Sequence, residues 1–188
     1  MGVPLGEFRD HAQAGGGGRV QACYELDRAG ALALRGEVGL FTYGLDHEYF
    51  LDAYGDIVPF DITNNVAMFN VGPELRLRAG AFRPHASAAL GLARFYTSTS
   101  AGGYTSDTQL SSTVFETSLG VGAALLVHEG ERPVSLDLSL ESRTHSGVNY
   151  LPGGKLMPDG QGGYVLPGPV QGSGNLLVVS LGVRWGLR

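Results

Sequence analysis

The last stretch of the chain, 175–188, reads NLLVVSLGVRWGLR, with Leu177, Val179, Leu181, Val183, Trp185 and Leu187 at every second position and Val178, Ser180, Gly182, Arg184 and Gly186 between them. Successive side chains of a strand point to opposite faces, so one face here is wholly apolar and the other small or charged. The contrast recurs along most of the chain, with three short turns and several much longer connections between strands. That is how a transmembrane β-barrel is written, in alternating segments rather than in one apolar run.

At 188 residues a single domain, 1–188, accounts for the whole chain. No run of about 18 apolar residues is present, so a membrane-spanning helix is excluded. A mean hydropathy of +0.03 is compatible with a barrel, in which only alternate residues face lipid. The thirty glycines follow no G-X-Y period, which excludes collagen, and they suit strands around a crowded interior. A net charge of −5 with dispersed basic residues lacks the footprint of a nucleic-acid binder. Cys23, the single cysteine, rules out an internal disulfide and any CxxC metal or redox motif. Met1-Gly2-Val3-Pro4 has neither the basic start nor the apolar stretch of a secretory signal. An outer-membrane protein carries one in its precursor, so the expectation is that upstream residues are lost and that 2–8 is the remnant of a truncated first strand.

Seven further strands are expected. Residues 19–26 and 31–43 form a hairpin about the Asp27-Arg28-Ala29-Gly30 turn. Strands follow at 65–78, 84–97, 113–127, 133–145 and 175–188, with short turns at 79–83 and 128–132 and long loops at 44–62, 98–112 and 146–174. Pro73 denies its strand a ladder hydrogen bond and predicts a local irregularity. Arg94 falls on the apolar face, which predicts either a register shift near the strand's end or a snorkelling side chain. The fold class is therefore all-β, an eight-stranded antiparallel up-and-down transmembrane β-barrel with short periplasmic turns and long extracellular loops.

The polar face decides which side meets lipid. Glu25, Glu37, Glu74, Glu116, Asp137 and Glu141 oppose Arg19, Arg35, Arg76, Arg143 and Arg184, interspersed with Gly and Ser. A narrow lumen needs small residues for space and paired charges for neutrality, and an eight-stranded barrel is just wide enough for its side chains to fill it. Arginine suits such a network because its planar fork binds carboxylates bidentately. These eleven residues are the predicted interior charge network, and Leu177, Val179, Leu181, Val183 and Trp185 the predicted membrane-facing set. The competing possibility is a soluble, lipocalin-like ligand-binding barrel, with the charges in water and an apolar cavity inside.

Residues VPLGEF, LDRAGALALRGEVGLFTYG, TNNVAMFNVGPEL, FRPHASAALGLARFYT and LLVVSLGVRWGLR together resemble the bacterial outer-membrane β-barrel domain proteins, the broad group that looks like the OmpA barrel and OmpX. The resemblance implies an integral outer-membrane location, contact with outer-membrane lipids and lipopolysaccharide, and insertion by the barrel assembly machinery, in a group often without a known activity. It also implies an assembly signal in the last strand, with Trp185 and Leu187 as candidates, although the chain ends Trp185-Gly186-Leu187-Arg188 instead of on an aromatic residue.

Other chemistry is weaker. Residues 15–18 are four glycines that open a strand, with no Lys-Ser/Thr behind them, so they are no phosphate loop. His145-Ser146 invites comparison with lipid A-modifying enzyme barrels, but neighbours on a strand point apart. Asp46, Glu48, Asp52, Asp56 and Asp61 put several carboxylates into one segment, where a weak site for a hard cation is conceivable. Phe41, Tyr43, Phe95 and Tyr96 near one end, with Phe82 and Trp185 near the other, suggest aromatic girdles, with Phe41 and Phe95 on the inward parity. No cofactor is expected. The leading function is a non-enzymatic envelope barrel with a structural role, or one whose long loops bind a surface polymer or protein.

Overall fold

The computed structural model describes residues 1–10, 12–51, 57–77, 80–101, 104–130, 133–150, 157–158, 164–165 and 168–185. The described strands are β1 (Gly2–Pro4), β2 (Gly16–Glu25), β3 (Leu32–Leu51), β4 (Ile57–Arg76), β5 (Phe82–Ala101), β6 (Tyr104–His128), β7 (Val134–His145), β8 (Val148–Tyr150), β9 (Met157–Pro158), β10 (Tyr164–Val165), β11 (Val170–Gly172) and β12 (Leu176–Trp185), with a 3-10 helix at Gly6–Asp10. Eight of the strands make one antiparallel meander in the order β1-β12-β7-β6-β5-β4-β3-β2. Two small ribbons, β8 with β11 and β9 with β10, lie within the segment that joins β7 to β12.

The alternation drives this arrangement. In β7, Leu136, Leu138 and Leu140 are exposed while Ser135, Asp137, Ser139, Glu141, Arg143 and His145 are buried. The sheet curls about that polar face. Arg19 of β2 reaches Ser139 of β7 at 2.6 Å, although five steps of the meander separate the two strands. Gly120 and Gly122 leave room for the side chains on that face: a Cβ at Gly120 would sit 2.7 Å from the Glu141 Cγ, and one at Gly122 would sit 2.6 Å from the His85 Nε2. Gly30, at φ 62°, closes the first short turn, where the Asp27 carboxylate accepts the Leu32 amide at 2.8 Å.

Several strand expectations need correction. Residues 44–51, 57–62, 98–101 and 104–112, read as loop, are strand. The β3–β4 ladder steps over a bulge at Thr42/Gly44 and continues to Leu51 opposite Ile57, and β5–β6 shifts at Thr97/Thr99 and continues to Ala101 opposite Tyr104. Acidic and Ser/Thr composition disguised these extensions, because the apolar-polar alternation by which a strand is read is absent from them. Residues 146–174 likewise hold the two small ribbons. The first strand stops at Pro4, and the 3-10 turn that follows carries Phe8 inward until it is fully buried. At Pro73 the β4–β5 ladder omits two rungs between Val71↔Leu90 and Glu74↔Ser87 without changing register. Arg94 stays exposed in register opposite Ala67 and Thr113, and the shift comes three residues beyond it.

Candidate functional site

The inner face is divided along its length. Toward the short turns it holds ionised side chains. Glu141 accepts from Arg35 Nη2 at 2.9 Å and Arg143 Nη2 at 2.6 Å, with Arg19 Nη1 at 2.7 Å. Glu37 accepts from Arg19 (3.2 Å), Gln21 (2.7 Å) and Arg35 (3.2 Å), and also from Arg143 Nη2. Glu74 accepts from Arg76 Nε at 2.6 Å and Arg184 Nη1 at 2.7 Å. Asp137 pairs with Arg184 at 2.8 Å and lies 3.7 Å from His85.

Five carboxylates (Glu37, Glu74, Glu116, Asp137, Glu141) thus face five guanidinium groups (Arg19, Arg35, Arg76, Arg143, Arg184), and the carboxylates are all buried. Equal numbers matter because an unmatched charge taken out of water is strongly destabilising, whereas matched groups with good geometry offset their own desolvation. Glu25, at the rim, is half exposed and sits 3.9 Å from Arg76. All eleven residues read from the sequence as the charge network therefore share one face and one connected set of contacts.

Arg143 is the hub. Its side chain is fully buried and contacts Glu37, Glu116 and Glu141, while the Met68 sulfur accepts from Nη1 at 3.3 Å. Glu116 also accepts from Asn70 Nδ2 at 2.6 Å and lies 2.7 Å from His145 Nε2. His145 Nδ1 is 2.5 Å from the Gly174 carbonyl. Both ring nitrogens thus face acceptors. A general base needs a lone pair free to take a substrate proton, and this ring is sealed in by Phe95, whose centroid stands 5.2 Å away edge-on. Ser146 is exposed while His145 is buried, so the pair does not form a nucleophile and its base.

Toward the long connections the inner face turns apolar. Phe8, Phe41, Tyr43, Val66, Met68, Ala93, Phe95, Val148, Leu176 and Val178 make one buried cluster. Phe8 stacks with Tyr43 at 5.1 Å and Phe95 at 6.1 Å, tilted and edge-on, the arrangement that ring quadrupoles favour. Phe41, Tyr43 and Phe95 therefore belong to an interior cap and not to a girdle. The bulge at Thr42/Gly44 accompanies the inward placement of Tyr43 beside Phe41. The sequence signal was weak: Phe41 and Phe95 had inward parity, but nothing marked Phe8.

The outer face carries Val179, Leu181, Val183 and Trp185, all exposed, with Leu177 half-buried. Leu187, the other half of the proposed assembly signal, lies outside the described residues, as do Asp52 and Asp56 of the acidic segment. Asp61 is held by His47 at 2.5 Å and Ser100 at 3.3 Å. Among the described residues no group of three or more His, Cys, Asp or Glu side chains is placed to hold a metal. No protein-family model, curated protein or solved structure matches the chain.

Proposed function

We propose that this protein is a non-enzymatic, integral outer-membrane β-barrel of eight strands, closed by β1 between β12 and β2, with a plugged interior in place of an open channel. The observation that carries the proposal is the inversion of polarity. Buried side chains include Arg143, Glu37, Glu74, Glu116 and Glu141, whereas Leu34, Val38, Phe69, Val71, Leu90, Leu92, Leu119, Leu138 and Leu181 are exposed on the opposite face. Water-soluble proteins rarely expose contiguous apolar area beyond a few hundred Å², and lipid is the solvent that such a face fits. A lipocalin-like protein has the opposite arrangement, an apolar cavity inside a polar shell.

Closure is supported by Gly2, which pairs with Val178 and bridges Gly15, and by side chains that span the interior, such as Arg184 to Glu74. The β3–β4 and β5–β6 extensions and the β8–β11 ribbon then project from one end, where Tyr49 and Ile57 are exposed to a protein or polymer partner. Gel mobility of the membrane-extracted protein tests the proposal. A band that runs differently with and without heating is expected of a detergent-resistant barrel; a freely soluble protein with one mobility would refute it.

A further inference from the structure

On the outer face of β5 the uncharged side chains run from Phe82 to Leu92 at every second position, and the next outward position is Arg94. Arg94 is exposed and stands opposite Ala67 of β4 and Thr113 of β6. From the level of Phe82 up to its own, it is the one charged side chain on the outward positions of β3 to β7 among the described residues.

The strand sets its height. Strands rise about 3.3 Å per residue and tilt by about 40° in a barrel of this kind, so the twelve residues from Phe82 to Arg94 cover roughly 30 Å across the membrane. The apolar band of such a barrel is about 25 Å tall. With Phe82 at one edge of the band, Arg94 stands just past the other, at the level of the lipid headgroups, where a cation on the outer face costs little.

Its surroundings lack a counter-charge. The five interior arginines each face a carboxylate, whereas no hydrogen bond or ion pair joins Arg94 to another described residue. Asp61, further along β4, is engaged by His47 and Ser100. On the side toward the long connections lie Tyr96 and its cross-strand partner Ser111, which with Thr113 put three hydroxyls around the guanidinium. On the other side lie Leu92 and its partners Phe69 and Phe115, all three exposed. Cationic and hydroxyl donors above an apolar floor match an amphiphile with an anionic head.

We propose that this patch binds the phosphate of an anionic diacyl lipid in the leaflet at the long-connection end. The Arg94 guanidinium takes the phosphate oxygens through its planar fork, Ser111 and Thr113 donate from β6, and the acyl chains run along Phe69, Leu92 and Phe115. A lipid fits better than a free phosphate ion, because an ion leaves those three apolar side chains without a role. The proposal rests on the outer-membrane reading, which puts lipid against this face.

Native mass spectrometry of the full chain in maltoside micelles tests it, with dioctanoyl phosphatidic acid as the probe. Arg94→Gln removes the charge from an exposed side chain that has no protein partner, so the fold is kept. It is expected to weaken the first bound phosphatidic acid about fivefold. Arg28→Gln, at an exposed arginine in the first short turn, should leave that binding unchanged. Dioctanoyl glycerol, which has the chains without the phosphate, should bind the parent and Arg94→Gln alike, and excess inorganic phosphate should not displace the lipid. Phosphatidic acid binding that is unmoved by Arg94→Gln, or weakened as much by Arg28→Gln, would overturn the proposal. So would displacement by inorganic phosphate, or diacylglycerol binding that falls with Arg94→Gln. Heat-dependent mobility of every sample is read first: its absence counts against the barrel, whereas a heat-shifted barrel with lipid binding indifferent to residue 94 counts against the lipid site alone.

Discussion

The two halves of the interior are filled by opposite means. The half near the short turns is filled by Arg19, Arg35, Glu37, Glu74, Asp137, Glu141, Arg143 and Arg184; the half near the long connections is filled by Phe8, Phe41, Tyr43, Val66, Phe95 and Leu176. His145 and Glu116 sit at the boundary, with Phe95 on one side of the ring and Arg143 beyond the carboxylate. The ionic half holds strands together through groups that are costly to leave unpaired, which ties β2, β3, β4, β6, β7 and β12 into one connected set. The apolar half is less demanding of geometry, and it keeps water from the network at the end where the connections project.

The difference can be broken from the ionic side with the largest effect. Arg143→Met leaves Glu37, Glu116 and Glu141 short of their shared partner, and a loss of about 3–5 kcal/mol in detergent unfolding by urea is expected. Replacing Glu116 by Gln in the same chain should recover part of that loss, because one of the orphaned charges goes with it. From the apolar side, Phe95→Ala removes the ring that contacts Phe8, Tyr43 and His145, with an expected cost of about 3 kcal/mol in the same assay. The two losses should differ in their salt dependence if water reaches the network once the cap is opened, and salt titration of Phe95→Ala against the parent measures this.

Smaller changes sharpen the boundary. Glu116→Gln alone keeps the shape of the side chain and its acceptor for Asn70 but removes the charge facing Arg143, for an expected loss of about 1–3 kcal/mol by equilibrium unfolding. Glu25→Gln should cost about 0.5 kcal/mol or less, since Glu25 is half exposed at the rim and 3.9 Å from Arg76. A loss at Glu25 as large as that at Glu116 would mean that burial does not grade the network.

How much was legible in the sequence follows from what each half asks of it. A charged residue at every second position of an otherwise apolar strand has few explanations, so Glu141 and Arg143 in β7, or Arg35 and Glu37 in β3, announced the ionic half. An apolar residue at an inward position announces nothing, because β-propensity alone accounts for Phe41 or Phe95. Phe8 was less visible still, since it reaches the cap from a 3-10 turn and outside any period-two pattern. The lengths of β3 to β6 were missed for a related reason: the extensions are acidic and rich in Ser and Thr, so the apolar alternation that marks a strand fades in the sequence while the hydrogen bonds continue.

The claim on which all of this depends is that the apolar face meets lipid. Spin labels on cysteines introduced at Leu138 and Leu181, in a Cys23→Ser background reconstituted into vesicles, test it most directly. Collisions with oxygen should dominate over collisions with a water-soluble paramagnetic complex at both sites, while a label at rim residue Glu25 shows the reverse. Labels at Leu138 and Leu181 that are freely accessible to the water-soluble reagent would contradict the account.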